Sequence, residues 1–346
     1  MRRSLNMAAG VGLLLAAWPL LSFPAGAAWG AILASWLFVT GAALGCVVLS
    51  ATCRVVYARW SESLVSRCET AVGLLPWSFG VLLAISAAGP FWLPWVGHAA
   101  PERQWWLNVP FFEIRQVVLA LLLFGLARLH VRTPARAPEA RGRAVAFLIA
   151  FAVVTTLWTV DFVMALDPVW VDPMLGGFYF MGSFLGGVAT AILYGADESG
   201  DLRHDVGKLF FGLAVFWGYL LFVQTLVIWY GNQTDETAFV LARLASPWRQ
   251  IGFASVLLVF LAPFTLLMRE AAKRKARLLR AGAAGVLAGL WLEMQLLVLP
   301  SLTPHPTLPV LSAGLGCLLF LGSRLLVALQ AEPASAMEPA APAAAV

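Results

Sequence analysis

Ten apolar stretches, each about twenty residues long, follow one another almost without interruption: 7–27, 28–52, 70–96, 107–130, 143–167, 175–195, 207–230, 249–268, 277–299 and 309–330. A run of this length matches the roughly 20 residues a helix needs to cross about 30 Å of hydrocarbon. Inside a bilayer every backbone N–H and C=O must find its partner within the protein, so only helices and closed barrels can span it. Barrel strands of about 9–11 residues are half as long as these runs. The fold class is therefore an all-α integral membrane protein of about ten transmembrane helices. Composition agrees: 12% of the 346 residues are charged, against roughly 25% in a soluble domain. The spans and their loops form one polytopic domain over 1–331. The tail, 332–346, is Ala/Pro-rich and expected to be disordered.

The basic residues fix the expected orientation. With the N-terminus inside, the inner segments hold Arg2, Arg3, Arg54, Arg59, Arg67, Arg128, Arg132, Arg136, Arg141, Arg143, Arg203, Lys208, Arg269, Lys273, Arg274, Lys275, Arg277, Arg280 and Arg324. The outer loops hold Arg103, Arg243 and Arg249, and Arg115 lies within a span. Nineteen against three places both termini in the cytoplasm under the positive-inside rule. The net charge of +5 is thus a topological signal and not a nucleic-acid surface. Arg2-Arg3, the first apolar run and Ala25-Gly26-Ala27-Ala28 also have the pattern of a cleaved signal peptide, but a second span follows at once, which favours a retained helix.

Ionisable side chains within spans cost at least about 2.5 kcal/mol each on insertion scales, so each needs a partner or a task. Glu113 and Arg115 lie in the fourth span, Asp161 in the fifth, Gln224 in the seventh and Glu293 in the ninth. Asp161 stands six residues before the outer end of its span, about 9 Å at 1.5 Å per residue. The other four sit at similar depth. Five polar positions on four helices in one layer point to a cavity or a proton path that opens toward the outside, against the plainer reading in which Arg115 pairs with Asp161 or Glu293 and staples helices together. Asp167 and Glu236 fall near the outer mouth. His204, Asp205 and Lys208 fall at the start of the seventh span as an inner entry, where Asp205 has the alternative role of helix cap.

The four histidines, at 98, 130, 204 and 305, all lie in or beside loops, so the spans offer no axial haem ligands. Cys46, Cys53, Cys68 and Cys317 contain no C-x-x-C pair for a metal or iron–sulfur site. The chain is accordingly expected to bind no haem, cluster or metal itself. Gly41/Gly45, Gly182/Gly186 and Gly285/Gly289 are small-residue pairs of the kind that lets helices approach closely.

Two stretches carry a resemblance. The first runs from Trp158 to Gly187 and holds Asp161-Phe162 and Asp167 to Trp170. The second runs from Arg203 to Arg243. It holds His204-Asp205-Val206-Gly207-Lys208, Phe216-Trp217-Gly218-Tyr219, Ile228-Trp229-Tyr230-Gly231-Asn232 and Asp235-Glu236-Thr237. Pro110 to Arg115, Pro263-Phe264 and Trp291-Leu292-Glu293 with Pro300 add weaker echoes. Together they resemble the second NrfD-like membrane subunit of bacterial alternative complex III, over most of the chain from about 55 to 300. Asp235 stands where that family usually has Glu, Glu293 where it has Asp, and Val223-Gln224-Thr225 keeps only the Gln of a Ser-Gln-aromatic pattern.

The resemblance implies a subunit of a respiratory quinol:cytochrome c oxidoreductase in the bacterial cytoplasmic membrane, not catalytic alone. Its implied partners are a sister NrfD-like subunit, an iron–sulfur subunit and multihaem cytochrome c subunits, which would carry the haems and clusters. Quinol or quinone is the only small-molecule ligand implied for this chain. A secondary transporter, which would show broken helices at matched positions of two repeats, and a purely structural anchor of a redox complex are the alternative readings.

Topology is open to direct test. A reporter fused after residue 330, and another within 269–280, should read cytoplasmic, and one within 303–306 periplasmic. A periplasmic signal from the Lys/Arg-rich loop would overturn the span assignment.

Overall fold

A computed structural model describes residues 1–22, 26–58, 62–98, 101–167, 170–195, 200–231 and 234–331; the tail expected to be disordered lies outside them. The described residues form fourteen α-helices and no strand. In chain order these are α1 (Arg2–Ser22), α2 (Gly26–Val55), α3 (Glu62–Glu69), α4 (Leu75–Trp92), α5 (Val109–Arg132), α6 (Ala140–Phe162), α7 (Leu175–Gly195) and α8 (Gly200–Gly231). There follow α9 (Thr234–Leu244), α10 (Trp248–Val256), α11 (Ala262–Leu267), α12 (Glu270–Lys273), α13 (Ala276–Val298) and α14 (Leu308–Leu329). Ten helical stretches are long and apolar enough to cross a membrane, one for each predicted span. The chain is a polytopic membrane protein.

Two spans are composite. A 3₁₀ turn over Thr70–Leu74 joins α3 to α4, so the third span begins at Glu62, well before the apolar run at 70. A π-helical turn over Leu257–Leu261 joins α10 to α11 directly before Pro263. Proline has no N–H to donate to the preceding turn, and a local widening of the ladder accommodates the loss. The seventh span also starts early: α8 begins at Gly200, with Asp201 in its first turn. The short α9 was not anticipated as a separate element. At 11 residues it is too short to span, and it lies between α8 and α10 at the end of the bundle opposite the Arg/Lys-rich loops.

The architecture is built around α2. This helix is apolar on every side, as a helix buried in a larger bundle must be, and nearly all of its central window is buried. It packs against α7, α14, α13, α6 and α4. The crossing with α7 is very close. A Cβ on Gly187 would collide with the backbone of Gly45, and one on Gly45 with the carbonyl of Ser183. Gly41 likewise faces Ser183 and Tyr179, and Gly186 faces Ala42 and Leu290. The small-residue pairs therefore serve packing within the chain. The tightest contact falls on Gly187, one residue past the predicted pair. Gly12 and Gly316 make an equivalent backbone contact between α1 and α14. By contrast α1, α8 and α10–α11 are mostly exposed and present Leu, Val, Phe and Tyr side chains outward.

Gly187→Val should push α7 off α2 and cost about 1–3 kcal/mol by overpacking. Thermal unfolding in detergent should show a lowered midpoint, while Gly80→Ala, where a Cβ meets nothing within 4 Å, should match the wild type. Equal midpoints for both variants would refute the close crossing.

Candidate functional site

The fourth and fifth spans carry the most heavily satisfied charge in the molecule. Asn108 caps α5 by accepting from the Phe111 N–H at 3.0 Å, which sets the first turn so that Arg115 faces α6. Arg115 donates Nε to Asp161 Oδ2 and Nη2 to Asp161 Oδ1, both at 2.8 Å. Gln116 Nε2 reaches Oδ2 at 2.6 Å and the Trp106 indole N–H reaches Oδ1 at 2.9 Å. The guanidinium also bonds the Trp106 carbonyl at 3.3 Å and lies 3.9 Å from the Trp106 ring centroid. Asp161 is fully buried. Its two oxygens accept four hydrogen bonds, close to all a carboxylate can take. This is a bidentate, fully committed pair, and it ties α5, α6 and the loop before α5 into one unit. Glu113 is half-buried on the same helix and takes no part in it.

Glu293 is placed differently. It is buried on α13, and its Oε2 accepts from the Trp217 indole N–H of α8 at 3.1 Å. Its Oε1 makes no hydrogen bond. Two residues on, Gln295 donates to Ser35 of α2 at 3.1 Å, and Trp291 does so at 3.0 Å. Ser35 in turn donates to the Gly314 carbonyl of α14 at 2.8 Å.

Asp161 and Glu293 therefore have separate partners and do not share one pocket. Ser35 meets the neighbours of Glu293, while Trp36, the next residue, packs edge-on against Trp158 and Phe162, the neighbours of Asp161. Helix α2 thus packs on α6 and α13 alike. A small crevice among α2, α7 and α13, lined by Leu37, Phe38, Tyr179, Ser183, Leu290 and Met294 among others, has room for about one water. None of Glu113, Arg115, Asp161, Gln224 and Glu293 lines it.

At the same end of the bundle, the loops form a further polar group. Gln224 donates to Asp172 Oδ2 at 2.7 Å, and Asp172 Oδ1 accepts the Met174 N–H at 2.7 Å, just ahead of α7. Burial pushes the Asp172 carboxyl above its ordinary range, and these hydrogen bonds pull it part of the way back. Asp167 ends a 3₁₀ turn after α6 and acts on Arg243 of α9. Burial lowers the Arg243 guanidinium to about 9, while Asp167 favours its charged form. Arg243 bonds the Phe239 and Leu297 carbonyls at 2.9 and 2.6 Å, and Phe239 stacks on Trp170 at 3.5 Å. The side chain of Glu236, the other expected outer-mouth residue, lies outside the described residues.

The expected inner entry is a surface network. Lys208 pairs with Asp205 at 3.0 Å, both well exposed, and His204 Nε2 lies 3.8 Å from Glu270. Because α8 starts at Gly200, Asp205 sits more than a turn inside the helix and does not cap it. The buried charges at this end are elsewhere. Arg54 of α2 pairs with Glu69 of α3 at 2.6 Å and bonds the His130 and Thr133 carbonyls at 2.9 and 2.8 Å, closing the end of α5. His130, grouped by the sequence with loop-side histidines, lies in the last turn of α5 and is fully buried. Sequence reading passed over Arg54 and Glu69 because they stand at the ends of apolar runs, where charge is ordinary. No family model and no curated protein matches the chain.

Replacing Asp161 by Ala leaves Arg115 buried without its counter-charge, which costs about 3–5 kcal/mol for a pair of this kind. Yield and thermal stability in detergent should fall sharply, and adding Arg115→Leu should recover much of the loss. A single variant as stable as the wild type would show that the pair holds nothing together.

Proposed function

We propose that the chain is a membrane subunit of a quinol-oxidising electron-transfer complex of the alternative complex III type, in the bacterial cytoplasmic membrane, and that within it Glu293 is the proton-exchanging group. The family reading rests on the two long motif stretches, and the assignment within the membrane rests on one contrast. Asp161 has every lone pair committed to fixed donors. Glu293 is held by a single indole N–H, with its other oxygen free of any hydrogen bond. A carboxyl that passes protons must gain and lose one without dismantling its surroundings, and of these two it is Glu293 that is arranged for that. A buried ionisable residue in a span is by default a functional candidate. The Arg115–Asp161 pair is the scaffold beside it.

On this reading, the haems and iron–sulfur clusters that carry electrons belong to partner subunits, alongside a sister NrfD-like subunit. This chain contributes a proton path, and quinol is the ligand to test for. Purification through a tag on this chain should bring down iron–sulfur and multihaem cytochrome subunits and a quinol oxidase activity. Glu293→Gln should assemble to the same extent but turn over roughly tenfold or more slowly, the scale of a lost proton-transfer group. A chain that purifies alone would defeat the complex, and full turnover in Glu293→Gln would remove Glu293 from the path.

A further inference from the structure

The end of the bundle opposite Glu293 holds a second buried polar group, and its hydrogen-bond order can be worked out. Ser50 of α2 lies between Glu69 of α3 and His130 of α5. Its Oγ is 2.6 Å from Glu69 Oε1 and 3.1 Å from His130 Nε2. Ser50 has one proton, and the short contact to the carboxylate takes it. Its Oγ must then accept from the imidazole, which places the His130 proton on Nε2 and leaves Nδ1 as the bare basic nitrogen. That nitrogen is buried and has no hydrogen-bond partner. The ring is fully buried and lies nearly parallel to Phe147, at 13° between planes, which presents Nε2 to Ser50. Arg54 holds Glu69 in place by donating Nη2 to the same oxygen, Oε1, at 2.6 Å.

We infer that His130, Ser50 and Glu69 form a proton relay at the Arg/Lys-rich end of the bundle. Nδ1 of His130 takes up a proton. Nε2 releases its own to Ser50 Oγ, and Ser50 passes its hydroxyl proton to Glu69 Oε1. The imidazole ends neutral with its proton on the other nitrogen, the serine is unchanged, and the carboxylate has become a carboxylic acid; the relay resets when Glu69 releases that proton and the imidazole turns to present its N–H to Ser50 again. Each bond broken is matched by one formed, and no oxidant or co-reactant enters. Arg54 is the positioning residue that keeps Glu69 against Ser50. Ser50 and Ser35 are fifteen residues apart on α2, about 22 Å at 1.5 Å per residue, so relay and Glu293 serve opposite membrane faces. The inner end of the path thereby moves from the His204–Lys208 segment to this buried triad.

The inference rests on the proton-path reading above, and its test separates the two. Ser50→Ala removes the bridging hydroxyl but leaves the Arg54–Glu69 ion pair and His130 in place. Ser50→Thr keeps a hydroxyl at the same position. The complex purified through this chain would be placed in proteoliposomes with quinol and a trapped pH dye. Ser50→Ala and His130→Phe should assemble, and the protons moved per electron should fall by about half or more, with Ser50→Thr restoring them. Unchanged proton yield in both variants, or loss of assembly in Ser50→Ala, would overturn the relay. If the wild-type complex oxidises no quinol, the functional reading fails instead. The relay is then read from valinomycin-driven proton flux, which Ser50→Ala should slow several-fold and which, if unaltered, sinks it too.

Discussion

The contact on which the rest depends is the backbone crossing of α2 and α7 at Gly45 and Gly187. In hydrocarbon, apolar side chains gain little by leaving lipid for protein, so helices associate through close van der Waals approach and hydrogen bonds. Glycine at the crossing lets the two backbones touch. Once α2 is seated there, it becomes the core against which α6, α13, α14 and α4 are arranged. Two of the polar clusters are joined to α2 directly. Ser35 and Trp36 organise one end, and Ser50 and Arg54 the other. Thr40 and Ser78, at 2.7 Å, satisfy each other between them.

Around that axis the molecule treats buried charge in two ways. The Arg115–Asp161 pair meets the cost of desolvation with geometry: four hydrogen bonds to one carboxylate and an indole ring against the cation. Such a group is rigid and, because its partners are all fixed, chemically quiet. Glu293 and His130 are the reverse. Each is deeply buried, held by one or two contacts, and keeps one heteroatom without a hydrogen bond. An incompletely satisfied buried group is costly, and on the proposed reading these two are retained for their proton chemistry. This asymmetry divides an apparently uniform polar layer into one fully bonded pair and one sparsely bonded carboxyl.

The extramembrane elements follow the same logic. Arg243 is buried under α9 because Asp167, two backbone carbonyls and the Phe239 ring share its charge. The Asp172–Gln224 bond fixes the loop that leads into α7 to α8. Together they anchor α9 across the end of the bundle nearest Glu293. The exposed pairs Asp205–Lys208 and Asp201–Arg274 at the other end are solvent-screened contacts of small energetic weight.

The sequence by itself determined the class of fold, the number of spans and the depth of the polar residues. These follow from two local quantities, the length of an apolar run and the rise of a helix, and neither needs knowledge of which helix lies beside which. It also showed the charge asymmetry from which orientation is expected. Partnership was decided only by the tertiary structure. Asp161 and Glu293 lie at similar distances from the ends of their spans, yet nothing in the order of residues says that they have separate partners, nor that Arg115 turns to one and not the other. Ser50, Glu69 and His130 lie on three helices and look unremarkable alone: a serine in an apolar run, and an acid and a histidine at helix ends. They meet because Arg54 ties the end of α5 to α3, and the rotation of each helix about its axis is set by packing, which periodicity cannot encode when a helix is apolar on every side.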